Sequence, residues 1–255
     1  MDVDVDPEKS RDPDRAGHLP SILVGPVELP TVPELASMID HAVLKPTQTE
    51  RDVVDACTLA RREHIASVCV KPFYVPVTAR LLKDSGVETS TVIGFPHGGQ
   101  SPEVKVATAT NALHEGATEL DMVINIGALI DKDYATIERE IALVVGLAHA
   151  SEAEVKVILE TGYLDDAQKA IAAQIAAAAG ADYVKTSTGF GPEGATVEDV
   201  RLLRQVVGPG MGVKAAGGIR TLDDALAMIG AGASRLGTSA TATILAELRH
   251  RRGEE

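Results

Sequence analysis

The stretch EVKVILETGYLDDAQKAIAAQIAAAAGADYVKTSTGF, residues 154–190, carries the pattern that decides the fold. It starts with a short β-branched run, EVKVILE, turns at Gly162, and enters DDAQKAIAAQIAAAAG at residues 165–180. That second segment is Ala-rich, which favours a helix, and opens on an Asp suited to capping the first free amides. It ends at Gly180, of the residue type that accepts the left-handed turn closing a helix. A second apolar run, DYVKTS, follows at once. Strand, helix and strand joined this closely make a parallel crossover unit.

The same cycle recurs on both sides. Upstream lie the candidate strands SMIDHAV (37–43), IASVCV (65–70), VETSTVIGF (87–95) and TELDMVIN (118–125); downstream lie GVKAA (212–216) and SRLGT (234–238). Between them run helical stretches such as ERDVVDACTLARREH (50–64), PEVKVATATNALHEG (102–116) and residues 134–150. Gly116 and Gly230 are expected to end helices as Gly180 does. The junctions EGATELD, AGADYVK and AGASRLG look alike, a weak internal repeat expected when each unit solves the same turning problem. Eight strands in 255 residues, with no G-x-G-x-x-G after the first, predict an α/β protein: a closed (β/α)8 barrel rather than an open sheet. The reading assigns residues 31–250 to one barrel domain and residues 1–30, rich in Asp and Pro, to a flexible acidic tail.

Composition narrows the function. Aromatics make up 3% of the chain and Trp is absent, so small aliphatic side chains must build the core. The formal net charge of -13 argues against nucleic acid as a partner, because a phosphate backbone needs a basic face. A small phosphorylated substrate stays open, since a local nest of amides suffices to hold it. Cys57 and Cys69 fall in a helical and an apolar run and suggest no disulfide framework. The acidic N-terminus has no apolar core of a secretory signal, and no apolar stretch is long enough to span a bilayer. The expected location is the cytoplasm.

In this fold reactive groups come from the C-terminal ends of the strands. Asp121, Lys156, Lys185 and Lys214 lie inside otherwise apolar strands, where an unpaired charge is expensive. Alternation sets Leu120, Met122 and Ile124 against the helices and turns Asp121 inward; Lys185 and Lys214 oppose Val184 and Val213 in the same way. Neighbouring strands lie about 4.8 Å apart, so the two ammonium groups are expected within roughly 5–6 Å. At an effective dielectric near 20 they repel by about 3 kcal/mol, which favours loss of one proton and creates an amine nucleophile toward carbonyls. Asp121 supplies a proton carrier. The residues also admit a structural reading as buried ion pairs. It is preferred for Lys156, with Glu160 or Asp121 as partner, and stays open for Lys185 and Lys214 taken alone.

The loops tip that balance. TSTGFGPEG follows Lys185, AGGIRT follows Lys214, and LGTSA follows the eighth strand, with Gly237 and Ser239 expected to open the last helix. Gly-rich loops after the seventh and eighth strands, with a helix N-terminus, form the recurrent phosphate site of such barrels. His41 and His97 lie near strand ends without ligand spacing, so no metal is expected. GFPHGGQ lacks the Gly-Lys-Ser/Thr of a P-loop.

Read together, IDHAVLKP, VIGFPHG, ELDMVIN, KVILETGYL, ADYVKTSTGF, GVKAAGGIRT and RLGTSA resemble the deoxyribose-phosphate aldolase family, in order from about Thr31 to about Leu248. The resemblance implies reversible cleavage of 2-deoxy-D-ribose 5-phosphate to acetaldehyde and D-glyceraldehyde 3-phosphate, without a cofactor. It implies Lys185 as the Schiff-base lysine, Lys214 as the group that lowers its pKa, and Asp121 as general acid/base. Asp40, Lys156 and Thr188 would support them. The phosphate would rest on Gly189, Gly217, Gly218, Gly237 and Ser239, and the enzyme would be a dimer or tetramer of identical chains. Two departures stand out. Some members end in a tyrosine that reaches the site, whereas no tyrosine follows Tyr183 here. Some carry a lysine after KTSTG, where this chain has Phe190, leaving backbone amides and Arg220 to hold the phosphate. Another lysine aldolase or transaldolase, and a non-catalytic phosphosugar-binding barrel, are the competing readings.

Overall fold

Eight parallel strands pair in sequence order, and the eighth closes on the first: a (β/α)8 barrel. The computed structural model describes residues 29–254, so all but the last two residues of the expected acidic tail lie outside the described residues. The strands are β1 (Ile39–Val43), β2 (Ser67–Val70), β3 (Glu88–Ile93), β4 (Glu119–Val123), β5 (Glu154–Ile158), β6 (Tyr183–Lys185), β7 (Gly212–Ala216) and β8 (Arg235–Thr238). Every strand expected from the sequence is present. The helices are α1 (Val32–Ala36), α2 (Glu50–Glu63), α3 (Val75–Leu82), α4 (Pro102–His114), α5 (Ile126–Ile130), α6 (Tyr134–Ala150), α7 (Asp166–Ala178), α8 (Val197–Val207), α9 (Leu222–Gly230) and α10 (Thr241–Arg252). No described helix is long and apolar enough to cross a membrane.

Local chemistry explains the elements. Asp165 accepts the amide of Gln168 at 2.8 Å, while the Gln168 side chain accepts the amide of Asp165 at 2.9 Å, a reciprocal cap that starts α7. Gly116 and Gly180 adopt φ of +101° and +83° just beyond α4 and α7. The third glycine differs from expectation. Gly230 is the last residue of α9, and Gly232, at φ +109°, takes the left-handed turn. The third junction thus turns two residues later than Gly230 suggested, at the glycine of the A-G-A string, as Gly116 and Gly180 do in theirs.

Strand alternation divides two compartments. Val155, Val157 and Leu159, with Val184, Val213 and Ala215, join the large apolar layer between barrel and helices. Their neighbours Lys156, Lys185 and Lys214 point into the barrel. Inside the mouth, Leu44, Cys69 and Val92 pack with Ala42 and Phe95 into a small separate apolar cluster on the β1–β3 side. The β4–β8 side is lined by charge, so one half of the interior is oily and the other ionic. Asp40 of β1 belongs to the ionic half.

Candidate active site

Strand register builds the site. Lys185 pairs with Lys214 across β6 and β7, and Asp121 pairs with Lys156 across β4 and β5. Lys185 Nζ and Lys214 Nζ each donate to Asp121 Oδ2 at 2.6 Å. The two nitrogens therefore lie no further apart than twice that bond, as the strand spacing predicted. Asp121 Oδ1 sits 3.3 Å from Lys156 Nζ. Asp40 Oδ2 lies 2.5 Å from Lys214 Nζ and 3.6 Å from Lys156 Nζ. All five side chains are buried, and Lys185 retains only 3% of its surface.

Electrostatics separates the two lysines. Burial disfavours the charged form of Lys185 and, with the repulsion of Lys214, outweighs the pull of Asp121, so its pKa is lowered. Burial acts on Lys214 in the same sense, but Asp121 and Asp40 together overcome it, and its pKa is raised. Lysine–lysine repulsion, expected from the strand spacing, contributes to this shift. In the structure desolvation is the larger cause, because the shared carboxylate offsets part of the repulsion. Burial also opposes ionisation of Asp121, yet Lys185, Lys214 and Lys156 hold it below the usual carboxylate range. Asp40 is held well below that range by Lys156, Lys214 and Arg235 against its burial. An uncharged amine beside a charged ammonium and a carboxylate can attack a carbonyl and move the protons that follow.

Lys156 is a buried ion-pair residue, but Glu160 is not its partner. Its nearest carboxylate is Glu119 at 2.5 Å, ahead of Asp121. Glu160 instead leaves β5 in a left-handed conformation, at φ +57°, and its carboxylate meets Thr188. The Thr188 amide lies 3.2 Å from both Glu160 oxygens, and its hydroxyl bonds Glu160 Oε2. Thr188 Oγ1 in turn accepts the Phe190 amide at 3.0 Å. Glu160 thus fixes the loop that carries Thr188 and Gly189. Burial raises the Glu160 pKa.

Glu119 and Arg235, which the sequence does not single out, join the site beside Tyr183. Arg235 lies 2.8 Å from Asp40 Oδ1 and 3.3 Å from Glu119 Oε1, and it donates to the Tyr183 hydroxyl at 3.2 Å. Glu119 was legible, since it stands two residues before Asp121 and shares its face. Arg235 becomes legible only once the barrel closes and β8 lies beside β7, where it pairs with Lys214.

The Gly-rich loops meet at the C-terminal end. Gly189, Gly217 and Gly218 have φ of +82°, +87° and +84°. A Cβ on Gly217 would stand 2.9 Å from Gly194 Cα and 3.4 Å from Gly189 Cα, so the loops after β6 and β7 touch backbone to backbone. Ala195 N donates to Ala216 O and Gly217 O at 3.1 and 3.0 Å, which pins them together. Gly218, Arg220 and Ser239 are exposed. Gly237 departs from expectation. It lies within β8 rather than at the start of a helix, and α10 begins only at Thr241. A Cβ there would come within 2.8 Å of Ala216 Cβ and 3.2 Å of Lys214 Cε, so Gly237 makes room for the Lys214 side chain.

A cavity of about 250 Å³ opens beside this mouth, lined among others by His97, Ile126, Glu160, Thr188 and Phe190. Phe190 meets Phe95 edge to face, with centroids 5.4 Å apart. His41 is engaged by Thr241 at 2.8 Å, and burial lowers its pKa to about 4. Among the described residues no group of three or more His, Cys, Asp or Glu side chains is arranged to hold a metal ion. Cys57 and Cys69 are free and buried.

Comparison with known proteins agrees with this geometry. The family model for the DeoC/LacD family aldolases matches residues 35–242. The chain is 54% identical to the deoxyribose-phosphate aldolase of Halalkalibacterium halodurans over 212 residues, 83% of this chain and 94% of the relative. It is 53% identical to the deoxyribose-phosphate aldolase of Thermococcus gammatolerans over 219 residues, 85% of this chain and 97% of the relative. The structure of the tetrameric deoxyribose phosphate aldolase from Aeropyrum pernix superposes with a TM-score of 0.80 at 39% identity, covering 85% of this chain and 92% of that one. Sequence, barrel and match over most of the length converge, and the chain belongs to the DeoC/LacD aldolase family.

Proposed function

We propose that this protein is a class I aldolase that reversibly cleaves 2-deoxy-D-ribose 5-phosphate to acetaldehyde and D-glyceraldehyde 3-phosphate, through a Schiff base on Lys185. One observation carries the assignment of roles: two lysines share one oxygen of Asp121, and of the two Lys214 alone also reaches Asp40, which agrees with a pKa raised for Lys214 and lowered for Lys185.

In the cleavage direction the free amine of Lys185 adds to C1 of the open-chain sugar. Loss of water from the carbinolamine leaves a protonated imine. Asp121 carries protons to the departing hydroxyl and accepts the proton of the C3 hydroxyl. The C2–C3 bond then breaks, its electron pair flows into the imine, and D-glyceraldehyde 3-phosphate departs. The enamine takes a proton at C2 from the Lys214–Asp121 pair or water, and hydrolysis releases acetaldehyde and the free amine. Lys214 remains an ammonium that disfavours charge on Lys185 between turnovers. Asp40 and Lys156 support this proton network, and Thr188 orients the sugar hydroxyls. The phosphate rests on amides of the loops at Gly189, Gly217, Gly218 and Ser239, with Gly237 shaping the floor beneath them.

The working enzyme is a cytoplasmic homo-oligomer, dimer or tetramer, a reading supported by the tetramer described for the Aeropyrum pernix relative. Incubation with 2-deoxy-D-ribose 5-phosphate, with the triose phosphate coupled to NADH oxidation, tests the reaction. Turnover is expected; its absence, alongside turnover with another phosphorylated sugar, would move the chain to a different lysine aldolase.

A further inference from the structure

The barrel interior holds an odd charge. Four cationic side chains, Lys156, Lys185, Lys214 and Arg235, share three carboxylates, Asp40, Glu119 and Asp121. Every member is buried save Arg235, whose side chain keeps 13% exposure. With all seven ionised, one positive charge is surplus in a buried space, so one proton is expendable.

The ion pairs decide which one. Lys156 faces Asp40, Glu119 and Asp121. Lys214 faces Asp40 and Asp121, and Arg235 faces Asp40 and Glu119. Among the described residues, Lys185 forms an ion pair with Asp121 alone. It is the amine with the least to lose, and it is also the one at the mouth. The surplus is created one layer below, where Glu119 and Arg235 touch none of the reacting atoms.

We propose that Glu119 and Arg235 are positioning residues that act through Asp40 and Lys156 to set the proton affinity of Lys185, with opposite signs. The inference rests on Lys185 being the amine nucleophile. Arg235 supplies the surplus charge and occupies one oxygen of Asp40, leaving the other for Lys214. Glu119 takes up Lys156, which otherwise competes for Asp121. Other ionisable groups face these residues. Asp121, Lys214, Cys69 and Glu160 surround Lys185 from β4, β7, β2 and the end of β5. Tyr183 and the half-buried Glu154 face Arg235 from β6 and β5. Burial and the neighbouring Glu119 raise the pKa of Glu154, which forms no ion pair with Arg235 or Lys156 among the described residues. The Cys69 thiol is pushed up to about 11 by burial and Asp121 and remains neutral.

The test is the pH dependence of reductive trapping of acetaldehyde on Lys185 with cyanoborohydride, followed by peptide mapping. The free amine is the reactive form, so the rate rises as pH passes the Lys185 pKa. Removing an anion in Glu119→Gln moves that acid limb to lower pH; removing a cation in Arg235→Met moves it to higher pH. Each shift is expected to be roughly one pH unit, as for one charge about 10 Å away at an effective dielectric near 20. Arg235→Lys, which keeps the charge, leaves the limb in place. A purely structural role would slow trapping in both variants without opposed shifts, and that result overturns the proposal. Should Arg235→Met fail to fold, the near-isosteric Glu119→Gln decides by its sign alone. Native protein that traps nothing at Lys185 sinks the nucleophile reading and this inference with it, whereas native trapping with unmoved limbs sinks the inference only.

Discussion

Lys185 and Lys214 face each other across β6 and β7 and donate to the same oxygen of Asp121 at the same distance, 2.6 Å, yet their pKa values move in opposite directions. The asymmetry comes from β1. Asp40 reaches Lys214 and not Lys185, so one amine has two carboxylates to hold its proton and the other shares one. In the proposed mechanism this difference makes one of two chemically identical side chains the nucleophile and the other a fixed cation.

Replacing Lys214 separates those roles. Lys214→Leu removes the repulsion that lowers the Lys185 pKa and leaves Asp121 free to hold the Lys185 proton. The Lys185 pKa rises, so the acid limb of kcat/KM moves to higher pH as activity at neutrality falls. A pH–rate profile checks this, and an unchanged limb would contradict the role given to Lys214.

Asp121→Asn keeps the shape of the side chain but removes both the proposed proton carrier and the charge shared by the lysines. Turnover should fall by roughly 10²–10⁴-fold, the usual loss for a general acid/base. Steady-state kinetics gives the loss, and circular dichroism with unchanged helix content shows that the fold survives. A loss of only a few fold would mean that another group moves the protons.

Stability below the ordinary carboxylate range should drop in a way traceable to the barrel interior. Asp40 and Asp121 have pKa values depressed in the folded state by the lysines, and by Arg235 in the case of Asp40. Their contribution is full above the unfolded carboxyl values and is lost as pH falls below about 4. Urea unfolding measured across that window should show the fall in the native protein and a shallower one in Asp40→Asn. Equal slopes would place the acid sensitivity elsewhere.

Away from the site, Lys105 and Glu140 form a fully buried ion pair at 2.6 Å between α4 and α6. Lys105 Nζ also donates to Val123 O at 2.8 Å, and Glu140 Oε1 accepts the Asn125 amide at 2.7 Å, so the pair ties both helices to the end of β4. Lys105→Met leaves the Glu140 carboxylate buried without its counter-charge and should cost about 3–5 kcal/mol. Denaturant titration measures the loss. A change near zero would show that the carboxylate simply takes up a proton.

The fold was legible because eight short apolar runs alternate with helices, and their period survives single-sequence reading. So was the buried lysine cluster: alternation in the apolar runs DYVKTS and GVKAA sets each lysine opposite a valine packed on the helices, and so turns it inward. What stayed hidden depended on contacts between distant elements. Of the two partners that the sequence offers Lys156, Asp121 lies 3.3 Å away and, among the described residues, Glu160 forms no ion pair with it. It turns left-handed at the strand end and bonds Thr188, a contact that β6 creates. Gly237, with Ser239, has the look of a residue that opens the last helix, and only the pairing of β7 with β8 shows it giving way to the Lys214 side chain. Arg235 lies at the start of a strand rather than its end, where the rule for barrel chemistry does not look.

The most direct measurement is reduction with borohydride in the presence of acetaldehyde, followed by mass mapping of the modified peptide. The proposed mechanism predicts one ethyl group per chain, on Lys185, and none in Lys185→Leu, which should also lose turnover by roughly 10³-fold or more while remaining folded. An ethyl group on Lys214 or Lys156 with Lys185 unmodified, or no adduct under conditions of active turnover, would contradict it.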